Sequence, residues 1–91
     1  MIFLITYDLR TPGRNYNLLY DAIKELGDNN HPLESVWFVK NDILDPLTIT
    51  RKLKEHMDNN DLIFVVEISN SNRQGWLPKN SWEWLDKYQV K

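Results

Sequence analysis

The chain has 91 residues, no cysteine, and 13 acidic against 11 basic side chains, which gives a net charge of -2. A chain of this length forms one domain with a small hydrophobic core. Without cysteine it has no disulfide and no cysteine zinc site, and without a positive overall charge it can bind nucleic acid only through a local basic patch. A start without a basic leader and apolar runs too short to span a bilayer predict a cytoplasmic protein that does not contact a membrane.

The first strand and the first helix follow each other closely. Residues 2–8 form an apolar run, and the next segment cannot continue a β-ladder because Pro12 has no backbone N–H. Apolar side chains then recur every three or four residues, which predicts a helix over residues 15–26. Asn15 is expected to cap the start of this helix, and Gly27 to end it in a left-handed conformation.

The middle of the chain contains an extended region and a second helix. Residues 31–40 are predicted to be extended, as two short strands that a turn near Ser35 separates. Asp45 and Pro46 then provide the cap and the first residue of a helix. Residues 62–68 form an apolar run that is typical of a buried strand.

This order of elements matches the split βαβ plan of a ferredoxin-like fold. We therefore expect an α+β domain of the βαββαβ type over residues 1–69, with an antiparallel sheet and both helices on one face. Residues 70–91 form a C-terminal tail, which is expected to pack on its own protomer or on a partner protomer.

Both faces of the predicted sheet are apolar. In the first strand Ile2 and Leu4 point to one face, whereas Phe3 and Ile5 point to the other. Two helices cover only one face of a four-stranded sheet, so something else must cover the second face. A second copy of the chain is the simplest candidate, because most soluble oligomers are symmetric dimers, and a tail that folds back is the alternative.

The C-terminal tail is rich in tryptophan. Trp76, Trp82 and Trp84 lie close together, and Ser81 can cap a short helix that continues to Tyr88. Tryptophan is enriched at interface hot spots and also stacks on nucleic acid bases. Because no arginines or lysines are interleaved with these rings, we expect them to pack against protein, in the same protomer or in a partner.

Asp8 is the first candidate for chemistry. It is a carboxylate at the end of a buried strand, where it has no packing role, and such a group attracts a cation, backbone amides or an arginine. Arg10 and Arg14 flank the turn that follows, and they fit two opposed roles. They can neutralise Asp8 as a structural ion pair, or they can hold a phosphate next to a metal ion on Asp8.

Several catalytic signatures are absent from the sequence. The three glycines stand apart, which excludes a glycine-rich phosphate loop, and no serine lies in a nucleophile-elbow motif. His31 and His56 do not have the spacing of metal ligands. The basic residues of the second helix, at positions 51, 52 and 54, are interpreted as a solvated helix face.

Two short motifs are similar to those of a known family. The first strand ends in Tyr7-Asp8, and a later strand begins with Ser35-Val36-Trp37. Together with the order of elements, these motifs resemble the second CRISPR-associated protein family and a related branch, the virulence-associated protein D family. The resemblance covers residues 1–70. In the tail, Pro78 and the tryptophans predict a turn and a helix where that family has an extra strand.

The resemblance implies a ferredoxin-like homodimer whose sheets pack face to face and whose Asp8 faces its symmetry mate. It implies metal-dependent endonuclease activity on RNA or DNA, or a non-catalytic role as the central dimer of a spacer-integration complex in antiviral defence. In the enzymatic picture, Asp8 is the catalytic residue and the ligand of Mg²⁺ or Mn²⁺. Arg10, Arg14 and Ser35 then contact the phosphate of the substrate.

Two functions are therefore expected from the sequence. The first is a homodimeric endonuclease, in which two neighbouring Asp8 carboxylates share a divalent cation because they repel each other without one. The second is a non-catalytic dimer that binds nucleic acid or another protein through its edges and its tail. In both, Trp76, Trp82 and Trp84 are the predicted interface residues.

Overall fold

The computed structural model describes residues 1–89 and shows an α+β fold with one four-stranded antiparallel sheet. Its elements in chain order are β1 (Ile2–Asp8), α1 (Asn17–Glu25), β2 (Asn29–Leu33), β3 (Val36–Lys40), α2 (Pro46–Lys54), β4 (Leu62–Glu67) and α3 (Lys79–Lys87). The strands lie in the order β2-β3-β1-β4. The predicted ferredoxin-like fold is confirmed, with α3 as an addition to it. None of the helices within residues 1–89 has the length and apolar character needed to cross a membrane.

The larger core lies between the sheet and the two helices α1 and α2. Phe3 and Ile5 of β1 are completely buried in it, as are apolar side chains that lie four residues apart on each helix. These helix side chains are Leu19, Ile23, Ile49 and Leu53. Burial of apolar area is the main source of stability in a domain of this size, so this layer fixes the positions of both helices on the sheet.

The two sheet-packed helices differ in how well their starts follow the prediction. Helix α2 begins as expected, because the Asp45 carboxylate accepts a hydrogen bond from the backbone N–H of Thr48 at 2.7 Å. Helix α1 begins later than predicted, at Asn17, and its N-cap is Tyr16 rather than Asn15. The Asn15 side chain still accepts the N–H of Asn17 at 2.9 Å. This bond satisfies one of the free N–H groups at the start of the helix, which is the role predicted for Asn15.

The β2–β3 hairpin confirms the predicted turn near Ser35, but its first strand begins two residues earlier than expected. Asn29 pairs with Val39 across the hairpin, and Asn30 pairs with Phe38. Both asparagines extend the strand, but only Asn30 has its backbone groups directed at β3. The hydrogen bond from the Lys40 N–H to the Asp28 oxygen at 2.8 Å sets this alternation, so the backbone groups of Asn29 point away from β3.

Helix α3 covers part of the second face of the sheet. Trp84 and Leu85 are buried against Ile2 and Phe38, and the rings of Trp84 and Phe38 stack with 6.2 Å between their centroids. The tail of the same chain thus occupies the part of this face that lies over β2, β3 and the start of β1. The part over β4 and the end of β1 stays open, and we call it the open half-face; its apolar side chains are Leu62, Phe64 and Val66.

The start of α3 also departs from the prediction. Its N-cap is Pro78, and Ser81 lies inside the helix instead of capping it. The Ser81 side chain is buried, and its hydroxyl donates to the side-chain oxygen of Asn30 at 2.7 Å. The Ser81 hydroxyl therefore makes a tertiary hydrogen bond instead of the helix cap that the sequence pattern predicts. Residues 90 and 91, the end of the predicted tail, lie outside the described residues.

Candidate functional site at the end of strand β1

Asp8 ends β1 on the side of the sheet that faces away from α1 and α2. It pairs with Leu62 of β4, and its side chain is 61% exposed. The Arg10 Nε atom donates to an Asp8 carboxylate oxygen at 3.0 Å, and the Arg10 side chain is 52% exposed. An ion pair this exposed contributes at most about 1 kcal/mol, so another cation or an anion can displace either partner at little cost.

A buried acidic residue holds the loop that carries Arg10. Asp61 is only 3% exposed, and its carboxylate accepts the backbone N–H of Arg10 at 2.7 Å and that of Asp58 at 2.8 Å. The Tyr16 hydroxyl donates to the same carboxylate at 2.9 Å. Burial acts to raise the pKa of Asp61, but these donors outweigh it and lower the pKa below its ordinary value.

Asp61 was missed in the sequence, where it falls within a polar segment before β4. The signal that could have found it is the one that identified Asp8, a carboxylate directly next to a buried strand. The carboxylate is buried and accepts hydrogen bonds from three separate residues, which gives Asp61 a structural role. Asp61 thereby sets the position from which Arg10 reaches Asp8.

The second arginine of the predicted site points elsewhere. Arg14 forms an ion pair with Asp58, and its Nη2 atom donates to the backbone oxygen of His56 at 3.2 Å. Its guanidinium group also lies over the Tyr16 ring, 5.2 Å from the centroid. Of the two candidates for neutralising Asp8, Arg10 makes the contact and Arg14 instead ties the β1–α1 loop to the α2–β4 loop.

Ser35 lies at the same end of the sheet as Asp8. Its backbone oxygen accepts the N–H of Tyr7 at 3.3 Å, in the turn between β2 and β3. Asp8 and Ser35 line one open cleft of about 280 Å³, together with Tyr20 and Glu34. The structure therefore brings Asp8, Arg10 and Ser35 to one end of the molecule.

An aromatic cluster supports the floor of this cleft. The Tyr7 hydroxyl accepts the indole N–H of Trp37 at 3.0 Å and donates to the backbone oxygen of Glu34 at 3.3 Å. The His31 ring stacks on Trp37 with 3.8 Å between centroids. Burial raises the pKa of the Tyr7 phenol, so it stays protonated near neutral pH and is suited to fixing the cleft rather than to accepting a proton.

The three predicted interface tryptophans occupy different environments. Trp84 is buried within its own protomer, and Trp82 is half-buried at the edge of the same cluster. Trp76 is 99% exposed in the loop before α3. Trp76 is the one of these three whose ring is fully accessible to a partner.

The side chains around Asp8 provide only some of the ligands that a divalent cation needs. Within residues 1–89 no group of three or more histidine, aspartate or glutamate side chains is close enough to hold a metal ion. The exposed Asp8 carboxylate is a hard oxygen ligand of the type that magnesium prefers, but magnesium takes about six such ligands. The remaining ligands would have to come from a second protomer, a phosphate group and water.

The chain matches no family model, and no curated protein matches it. The geometry at the end of β1 is therefore the basis on which a function is proposed.

Proposed function

We propose that the protein is a homodimeric, metal-dependent endonuclease that acts on RNA or DNA, with Asp8 of each protomer as metal ligand and catalytic residue. The observation that carries this proposal is the position of Asp8 at the end of the open half-face. Next to it, Leu62 and Phe64 are 51% and 62% exposed. A second copy that packs on this surface buries these side chains and brings the two Asp8 carboxylates towards each other.

The residues around Asp8 have distinct roles in this proposal. A bound Mg²⁺ or Mn²⁺ ion supplies a Lewis acid and an activated water for phosphodiester cleavage. Asp8 holds the ion, and Arg10, released from its exposed pair with Asp8, binds a phosphate oxygen. The Ser35 hydroxyl, at the other side of the cleft, donates to the same phosphate. Arg14 contributes indirectly, through the loop contacts that position Arg10.

A cleavage assay tests the catalytic role of Asp8. We expect Asp8→Asn to reduce cleavage of RNA or DNA in Mg²⁺ or Mn²⁺ by about 100-fold or more, because the change removes a metal ligand. Asp42→Asn is a matched control, since Asp42 is also exposed and also pairs with a basic residue two positions away, Lys40. Equal cleavage by wild type and Asp8→Asn would remove Asp8 from the mechanism.

The dimer is tested separately, by sedimentation velocity. Phe64→Asp introduces a charge into the open half-face, and we expect it to convert a dimer into a monomer without unfolding the chain. Leu18→Asp, which charges an exposed apolar position on α1, should leave the dimer intact. A wild-type monomer at all concentrations would contradict the proposed pairing of the two Asp8 residues.

Two observations favour a second candidate, a non-catalytic adaptor that binds nucleic acid or another protein. The ion pair with Arg10 gives Asp8 a structural role without a metal, and the exposed ring of Trp76 is available to a partner. For this function we expect wild-type protein to show no cleavage in either metal. Trp76→Ala would then weaken association with the partner while Asp8→Asn would not.

A further inference from the structure

The two edges of the sheet differ in how well they are protected against pairing with another strand. At the β2 edge, Pro32 has no N–H to donate, and the register with β3 shifts between Asn30 and Leu33. Helix α3 packs beside this edge and is fixed there by the hydrogen bond from Ser81 to Asn30. Proteins use such features to prevent unwanted strand addition, so this edge is closed.

The β4 edge has neither a proline nor a register shift, and α2 packs against the inner face of β4. The six residues of β4 include no proline and no lysine, and they pair with β1 in an unbroken register. The N–H of Ile68 donates to the oxygen of Ile2 at 2.8 Å, which assigns the even-numbered residues of β4 to the hydrogen bonds with β1. The odd-numbered residues Ile63, Val65 and Glu67 therefore direct their N–H and C=O groups outwards.

These outward backbone groups are unused within the described chain. Across residues 1–89, no hydrogen bond reaches the backbone N–H or C=O of Ile63, Val65 or Glu67. An additional strand would satisfy three donors and three acceptors at once. The same strand would extend the open half-face, because its alternate side chains would lie next to Leu62, Phe64 and Val66.

We propose that the β4 edge binds an extended, basic and apolar segment of a protein partner, which adds to the sheet as a fifth strand. The chemistry of the segment follows from its neighbours. Apolar residues would contact Phe64 and Val66, and a lysine or arginine would lie opposite Glu67, which is exposed and has no ion pair within residues 1–89. This proposal deepens the adaptor function and does not depend on cleavage.

The charge of Glu67 favours a partner segment over a second copy of β4. In an antiparallel pair of two β4 strands centred on Val65, Glu67 lies opposite Ile63 of the other copy and gains no cation. In a register centred on Glu67, the two glutamates face each other and repel. A segment that carries its own lysine or arginine satisfies both the backbone and this charge.

A synthetic peptide tests the proposal directly. The probe is a fluorescein-labelled, end-blocked Lys-Val-Thr-Val-Thr-Leu, which places lysine opposite Glu67 and apolar residues on the open half-face when it binds antiparallel to β4. We expect saturable binding by fluorescence anisotropy. Amide hydrogen exchange at Ile63, Val65 and Glu67 should slow about ten-fold or more in the complex.

A charge exchange provides the matched controls. Glu67→Lys should weaken binding of this peptide about two- to five-fold, and a peptide with glutamate in place of lysine should recover the loss. Glu25→Lys makes the same change of charge at an exposed glutamate on α1, and it should not alter the binding of either peptide.

Two results would overturn the proposal. One is unchanged exchange at the three amides with about 1 mM peptide, a concentration that detects even weak binding. The other is protection of these amides in the free protein, with exchange that becomes slower as the protein concentration is raised. This result would identify a second copy as the occupant. Both results concern binding alone and leave the nuclease proposal, which the Asp8→Asn assay decides, unaffected.

Discussion

The hydroxyl group of Tyr16 donates to the carboxylate of Asp61 at 2.9 Å, and both residues are buried. This hydrogen bond joins the start of α1 to the start of β4, across 45 positions of sequence. The same carboxylate holds the backbone of Arg10, so one acidic side chain connects three segments around the end of β1. The position of the Asp8–Arg10 pair depends on it.

Asp61→Ala is expected to lower the free energy of unfolding by about 2 to 4 kcal/mol. The change leaves the Tyr16 hydroxyl and two backbone N–H groups without an acceptor in a buried place. Urea unfolding measures the difference. Asp21→Ala, at an exposed position of α1, should stay within about 0.5 kcal/mol of wild type. An equally small effect at Asp61 would show that water replaces its contacts.

Trp84→Ala is expected to destabilise the protein by about 3 kcal/mol or more, because it removes the largest side chain of the core between α3 and the sheet. Trp76→Ala removes the same number of atoms from a fully exposed position and should change the stability by less than about 0.5 kcal/mol. Thermal unfolding of the two variants checks this contrast. Similar losses would contradict the docking of α3 on the sheet.

Gly27→Ala is expected to destabilise the fold by about 2 to 4 kcal/mol. Gly27 has a φ angle of +154°, and an added Cβ atom would collide with the backbone oxygen of Lys40. Gly75→Ala is the control, since nothing lies within 4 Å of its Cβ position. Chemical unfolding should place Gly75→Ala within about 0.5 kcal/mol of wild type. An unchanged Gly27→Ala variant would mean that the hairpin shifts freely away from α1.

The stability of the protein should fall as the pH is lowered from about 4 to about 2. Hydrogen bonds from the Tyr88 hydroxyl and from Lys87 lower the pKa of Asp28 to about 2. Because the folded state binds this proton less tightly than the unfolded chain, the contact stabilises the fold above the unfolded pKa near 3.8 and is lost as pH falls through the folded pKa.

The variant Asp28→Asn tests this pH dependence. Urea midpoints of the variant should depend less steeply on pH than those of wild type, and the two curves should approach each other near pH 2. A residual slope should persist, because the pKa of Asp42 is also about 2. Parallel curves for variant and wild type would rule out Asp28 as a source of the acid sensitivity.

Local patterns were sufficient to predict most of the fold. The Asp45-Pro46 start of α2 depends on neighbouring residues alone, and it was found correctly. The alternation of Ile2 and Phe3 in β1 showed that both sheet faces needed a cover. The sequence left open which cover was used, because the tail and a second copy would bury the same apolar side chains.

The errors arose where a distant contact determines a local feature. Ser81 was assigned to a helix cap, but its hydroxyl bonds to Asn30, which is 51 positions away. Asp61 lies in a local turn, where its N–H donates to the oxygen of Asp58, but the burial of its carboxylate depends on partners at the start of the chain. At the candidate site, the motifs located Asp8 correctly at a strand end, but the pairing of Arg14 with Asp58 depends on how two loops meet in space.

The unequal edges of the sheet limit how large an assembly built by strand addition can become. A strand that joins at β4 finds an open edge, but the edge at β2 on the far side of the same sheet is closed by Pro32 and α3. In an assembly of this kind, growth would stop after one addition per protomer, at one segment per chain. The same asymmetry is expected to prevent the sheet from polymerising into a fibre, although one of its edges is open and apolar.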